Sequence, residues 1–346
     1  MARNQTQDPM QLFSLDDSRM PLRLGSALRV PSYAYPKWGI PYGSYREESD
    51  ACYMSEWAGG TKSQVECVRA ALAEAGMLDY TNMLRQAAAQ EIAGRVRDYE
   101  GQVNILDIGG GDDGKVTGST IQIFDALEEN DKDRVGMVIV NPSFAFANAA
   151  RVAFAKRGFT NYLIFVDKDT RISEILLDES QQIVANVATM HHHAYLDTPF
   201  RAVGYAIAAG GVFVSADRHN PEWEHPARVL KALEEDFEWE TKGADIDAFK
   251  GLYLACSEQA PPLIPEKEAS YMQIRQFWQG WAKVRAKAIA EGSFVPEDDI
   301  YMLEGHRPVS RYEAVLAVHG GFRDFKSRAL VEGSEILTVL TARRKA

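Results

Sequence analysis

From residue 103 the chain alternates between short, continuous apolar runs and longer stretches with helical period. VNILDI (103–108), VGMVIV (135–140), NYLIFV (161–166), QQIVANVAT (181–189) and GGVFVSA (210–216) have strand length and are rich in β-branched residues. Val116–Glu129, Phe144–Lys156 and Leu196–Ala209, which lie between these runs, carry a helical pattern. Strands apolar on both faces and separated by helices predict a parallel sheet with helices on either side. Ser310–His319 reads as a further helix. GFRDFKSRAL and SEILTVLTARR then read as two strands joined by the short turn VEG, a terminal antiparallel hairpin.

The rest of the chain has other patterns. Residues 1–60 form an N-terminal arm or lid, and over 30–60 Tyr, Trp, Pro and Gly alternate without period. Two helices are expected over 61–100. Thr61 caps the first, with Val65, Val68 and Leu72 at helical spacing and Gly76 as its stop; Met83, Ala87, Ile92 and Val96 stripe the second. Residues 101–220 are the α/β core, 221–305 an insertion that reads as a helical cap, and 306–346 the end of the core. The expected fold is therefore α/β: a doubly wound, seven-stranded, mostly parallel sheet with a terminal antiparallel hairpin, plus the arm and the cap.

Composition narrows the function. The formal net charge of −11 opposes a phosphate backbone, so no nucleic-acid partner is expected. Three cysteines without C-x-x-C spacing fit a reducing compartment and offer no zinc knuckle. The first residues lack the apolar stretch of a secretory signal, and no apolar run has the length of a membrane span. A cytoplasmic protein with no membrane partner is the expectation.

The chemistry concentrates at NILDIGGGDDGK (104–115). A strand ending in a glycine turn that opens a helix presents backbone N–H groups at the crevice beyond the strand ends. Gly109, Gly111 and Gly114 have the G-x-G-x-x-G spacing of a dinucleotide turn. Asp112 and Asp113 in the same turn would oppose a pyrophosphate, and Asn141 stands where a dinucleotide fold prefers an acid. A cofactor with a sulfonium and an ammonium group in place of phosphate meets no such opposition.

With these residues the chain resembles the class I S-adenosylmethionine (SAM)-dependent methyltransferases. Asp107, Gly109, Gly110 and Gly111 match that family's first motif, an acid followed by G-x-G after the first strand. Asn141 stands at its second landmark, by the ribose, in place of the usual carboxylate. Asp167 in IFVDKD matches the acid beside the adenine, with Lys168 next to it. NVATMHHH (186–193), beginning at Asn186, resembles the end of the fourth strand, and the terminal hairpin fits as well. The resemblance implies SAM as cofactor, a methyltransferase reaction, and a cofactor site of Asp107, Gly109, Gly110, Gly111, Asn141, Asp167, Lys168 and Asn186. An NAD(P)-dependent oxidoreductase and a non-catalytic SAM-binding regulatory protein stand as alternatives.

The acceptor must approach above the ends of strands four and five. His191, His192 and His193 end the fourth strand; Asp217, Arg218, His219 and Asn220 end the fifth, with His225 following. Three roles compete for His191 and His192: shaping the cofactor pocket, acting as general base, or joining Asp and His ligands around a metal. The base and pocket roles are favoured over the metal, so the site is read with His191 and His192 as catalytic residues and no metal. Aromatic residues of the arm and cap, among them Tyr35, Trp38, Trp278 and Trp281, suit an aromatic small molecule. Arg275, Arg307 and Arg311 are candidates to read a substrate carboxylate, each also explained as a surface ion-pair partner. The expected partner is a small-molecule substrate, with a homodimer left open.

Overall fold

The structure is a computed structural model that describes residues 80–111, 119–141, 144–165, 172–176, 178–193, 196–219, 307–332 and 334–345. The expected arm, the first of the two N-terminal helices and the cap lie outside these residues, as do Asp112, Asp113, Gly114, Asp167, Lys168, Asn220, His225 and Arg275.

Helix α1 (Tyr80–Val96) precedes β1 (Val103–Ile108), α2 (Thr120–Ala126), α3 (Glu129–Lys132), β2 (Val135–Val140), α4 (Phe144–Lys156) and β3 (Tyr162–Phe165). Then come α5 (Ile172–Ile175), β4 (Gln181–Val187), α6 (Asp197–Ala206), β5 (Ile207–Arg218), α7 (Val309–Val315), β6 (Phe322–Val331) and β7 (Ser334–Arg344). The sheet has seven strands in the order β3-β2-β1-β4-β5-β7-β6. The first five are parallel, and β7 is antiparallel to both β5 and β6. The terminal hairpin thus inserts its last strand into the sheet, the arrangement implied by the methyltransferase resemblance.

Each sheet face has its own core because side chains alternate along a strand. One face buries Ile105, Met137, Ile183 and Val214 under α1, α2 and α4. The other buries Leu106, Val138, Val184 and Phe213 under α5, α6 and α7. Every residue of β1, β2 and β3 is buried, which explains their largely apolar sequences; in β1 the buried Asn104 and Asp107 are the exceptions, both hydrogen-bonded. The C-terminal end of α1 is tied to the sheet by Arg134. Its guanidinium donates to the carbonyls of Val96 (2.8 Å), Tyr99 (2.8 Å) and Gly101 (3.0 Å) and pairs with Asp131 at 2.7 Å. Of these, the Val96 carbonyl ends the helix, where a cation is favoured.

Several element ends differ from the sequence reading: α2 stops at Ala126, short of the expected Glu129, and α3 follows separately, with three further differences around the site. Strand β5 begins at Ile207, directly after α6, although IAA (207–209) continues a helical pattern. Two apolar alanines beside an isoleucine suit either element, and pairing of Ile207 with Gln181 decides for strand. Strand β4 stops at Val187 because Ala188 takes a left-handed φ of 50°. Helix α7 ends at Val315 and passes into a π-helical turn, Leu316–Gly320, before Gly321.

Candidate functional site

Strand order reverses between β1 and β4: β2 and β3 lie to one side, β5, β7 and β6 to the other. The crevice beyond the carboxyl ends of such strands is where open α/β sheets take ligands. Both predicted motifs end there.

The glycine turn leaves β1 with Gly109 at φ 70° and Gly111 at φ 111°. Gly109 N–H donates to the Val140 carbonyl (2.8 Å). The Asn141 amide donates to the Gly109 and Gly110 carbonyls at 3.0 and 2.6 Å, so this side chain braces the turn. A side chain at Gly110 would run into Asp107 and Thr120, and one at Gly109 into Thr189. Both glycines let the turn pack directly against these side chains.

Asp107 faces away from the turn's open side. Its carboxylate is fully buried and accepts from the hydroxyls of Ser119 (2.9 and 3.0 Å) and Thr120 (2.5 Å) at the start of α2. Thr120 in turn accepts from Gly111 N–H at 2.7 Å. This chain of bonds joins strand, turn and helix. Burial raises the Asp107 pKa from 3.8 to about 6 against the lowering effect of the two hydroxyls. The folded state therefore holds this proton more tightly than the unfolded chain. Stability from this group is full below about pH 4, falls as pH rises to about 6, and is flat above. The loss amounts to roughly 3 kcal/mol. In denaturant titrations between pH 4.5 and 7, Asp107→Asn should remove this dependence, so the wild-type and variant curves diverge as pH rises. Parallel curves would show that Asp107 ionises freely.

The other half of the crevice follows β4. Asn186 is buried; its amide oxygen accepts from Met190 N–H at 3.3 Å, and its amide nitrogen has no partner among the described residues. The left-handed Ala188 donates its N–H to the Ala216 carbonyl (2.8 Å), which bends the chain sharply at the strand end. A non-glycine residue in that region costs about 1–2 kcal/mol and is held by its surroundings. Thr189 then lies under Gly109, its hydroxyl donating to the Val187 carbonyl at 3.0 Å. A single 3-10 turn, Met190–His192, brings His191 round to β5.

His191 is buried, with Nδ1 2.6 Å from Asp217 Oδ1. Asp217 is fully buried and also accepts from Arg218 N–H (2.8 Å) and from the Tyr312 hydroxyl (3.2 Å). Burial opposes its ionisation, but the charge and hydrogen bond of His191, the nearby His219 and the Arg218 N–H outweigh burial. The Asp217 pKa is lowered to about 2. An ionised carboxylate can only accept, so His191 donates from Nδ1 to Asp217.

Of the other predicted residues, the side chain of His192 lies outside the described set and His193 is half-buried. Arg307 offers its backbone carbonyl to His219 Nδ1 at 2.8 Å, and Arg311 lies on α7. No group of three or more His, Cys, Asp or Glu among the described residues is placed to hold a metal. Sequence reasoning placed Asp217 at the strand end without pairing it to His191. Adjacent parallel strands β4 and β5, with Val187 opposite Ala216, carry that signal. Ser119, Thr120, Thr189 and Tyr312 were not anticipated; the first two have a trace in the sequence as hydroxyls opening a helix.

No protein-family model and no curated protein matches the chain in sequence. Solved structures similar to it in shape include the CurJ carbon methyltransferase, at 12% identity and TM-score 0.47, over 92% of this chain and 72% of that one. The citrinin polyketide synthase CMeT domain is similar at 12% identity and TM-score 0.40, over 71% of this chain and 47% of that one. The DszA carbon methyltransferase is similar at 14% and 0.42, over 72% and 50%. The chain thus spans about half the length of the latter two.

Proposed function

We propose that this protein is a SAM-dependent methyltransferase acting on a small molecule, with His191 as general base. The observation that carries this reading is the meeting, at one crevice, of a glycine turn with the His191–Asp217 pair. The terminal hairpin supports it against a dinucleotide enzyme, whose sixth strand would continue the parallel sheet. Here antiparallel β7 takes that place beside β5.

The residues present fit SAM. Asp112 and Asp113 follow the glycines, with no cation between residues 107 and 113, which suits a cofactor without phosphate. The unpartnered amide nitrogen of Asn186 is a buried donor suited to a carboxylate or hydroxyl of a ligand. Asp107 and Asn141 brace the turn that Gly109, Gly110 and Gly111 form; Asp167 and Lys168 belong to the set by the family resemblance alone. SAM supplies a methyl group already activated by its sulfonium. What remains for the protein is alignment of the acceptor and, for an acceptor bearing a proton, its removal. His191 Nε2 takes that proton as the acceptor atom attacks, while Nδ1–H goes on donating to Asp217 Oδ1. The substrate is a small, aromatic or carboxylate-bearing molecule, by the content of the 30–60 and 221–305 stretches.

Calorimetry on the purified protein is expected to show binding of SAM and of S-adenosylhomocysteine and none of NAD. NAD binding without SAM binding would replace this reading with an oxidoreductase. SAM binding without methyl transfer to any component of a metabolite extract would favour a regulatory SAM-binding protein.

A further inference from the structure

The Asp217 carboxylate has two oxygens with different tasks. Oδ1 receives His191 Nδ1 and Arg218 N–H from its own side of the crevice. Oδ2 receives the hydroxyl of Tyr312, which arrives on α7 from 95 residues further along the chain. Tyr312 is fully buried, with its ring edge-on to Phe200 (5.4 Å) and to His219 (4.8 Å). A phenylalanine would fill this aromatic cluster equally well, and a buried hydroxyl is costly unless bonded. The oxygen is accounted for by Asp217 alone among the bonds described. Burial, then the charge of Asp217, pushes the Tyr312 pKa well above 10, so the group remains a donor. His219 fixes the ring's other side: its Nδ1 donates to the Arg307 carbonyl (2.8 Å) and its N–H to that of Ile336 (2.7 Å).

We propose that Tyr312 is a positioning residue for His191, acting through Asp217. Its bond to Oδ2 stops the carboxylate rotating about its own axis and so keeps Oδ1 in line with Nδ1. The base is thereby held with Nε2 toward the acceptor. His219 and Arg307, joined by their hydrogen bond, stand two residues after Asp217 and five before Tyr312, so the Asp217–Tyr312 bond is flanked by a second tie between the same two stretches of chain.

The kinetic part of this inference rests on the reading of His191 as base; the tautomer part does not. Tyr312→Phe removes one oxygen and keeps the ring. In the full chain labelled with 15N-histidine, wild-type His191 should show a single tautomer protonated on Nδ1. Tyr312→Phe should show a mixture, and Asp217→Asn a larger loss of that tautomer. With the methyl acceptor, Tyr312→Phe should lower kcat roughly tenfold, with KM and SAM affinity unchanged. An unchanged 15N signature in Tyr312→Phe overturns the proposal, including where thermal stability falls, because that is a packing role only. Should no acceptor be methylated, the proposed function fails while the spectra still decide the role of Tyr312.

Discussion

Replacing His191 by alanine should lower turnover by roughly 10²–10⁴-fold, the range for removing a general base, and leave SAM affinity within a few-fold. The separation follows from position. His191 reaches Asp217 across the end of β5, whereas the glycine turn is braced from its other side by Asn141, Ser119 and Thr120. Asp217→Asn tests the same point differently. The amide keeps the shape of the carboxylate but can turn an N–H toward Nδ1, which favours the wrong tautomer of the imidazole. Its turnover should fall nearly as far, again without loss of cofactor. Measured separately, turnover and SAM affinity distinguish a base from a pocket-shaping residue, which would chiefly weaken binding. A chelator should have no effect on the wild type. Inhibition by chelator with recovery on added metal would replace the base by a metal-held acceptor. Wild-type turnover in both variants would remove His191 from the chemistry altogether.

How far the sequence was legible depended on whether the deciding interaction is local. Strands β1 and β2 were read with their observed ends because burial on both faces leaves a largely apolar run, and because glycine or polar residues follow. The end of β4 was read two residues too long. Ala188 and Thr189 are ordinary strand continuations by type, and only the bond from Ala188 N–H to Ala216 on the neighbouring strand imposes the left-handed bend. The same rule divides the site. The glycine turn is a local feature with a sequence signature. The pairing of His191 with Asp217 is 26 residues apart and follows from strand order, which the alternating pattern implied. Tyr312 had no signal, since its contact with Asp217 requires the exact seat of α7 after the hairpin has closed the sheet. The inward turn of Asp107 was equally hidden, because an acid before G-x-G reads the same whether it faces a cofactor or a helix start.

Gly109→Val should weaken SAM binding by a factor between about 30 and several thousand, and it should disturb His191 as well. At φ 70° a β-branched side chain is strained, at roughly 1–2 kcal/mol. Its Cβ also runs into the side chain of Thr189, and overpacking of this kind costs about 1–3 kcal/mol. The protein escapes both by moving the turn away from the conformation that cradles the cofactor. Binding then requires the displaced turn to return, and affinity falls by the fraction that remains competent; about 2–5 kcal/mol sets the range given. Thr189 gives the substitution its second effect. It is two residues before His191, and its hydroxyl holds the Val187 carbonyl. Pushing Thr189 down therefore displaces the 3-10 turn that carries His191 to Asp217. The smaller change Gly109→Ala separates the two causes. Paired with Thr189→Gly it relieves the collision and leaves the strained φ, so the double variant should recover part of the lost affinity and the wild-type 15N signature of His191. Gly109→Val that binds SAM within threefold of wild type would mean that the cofactor does not sit on this turn. Gly109→Ala that gains nothing from Thr189→Gly would mean that backbone strain alone governs the turn, and that the cofactor and base halves of the crevice are mechanically independent.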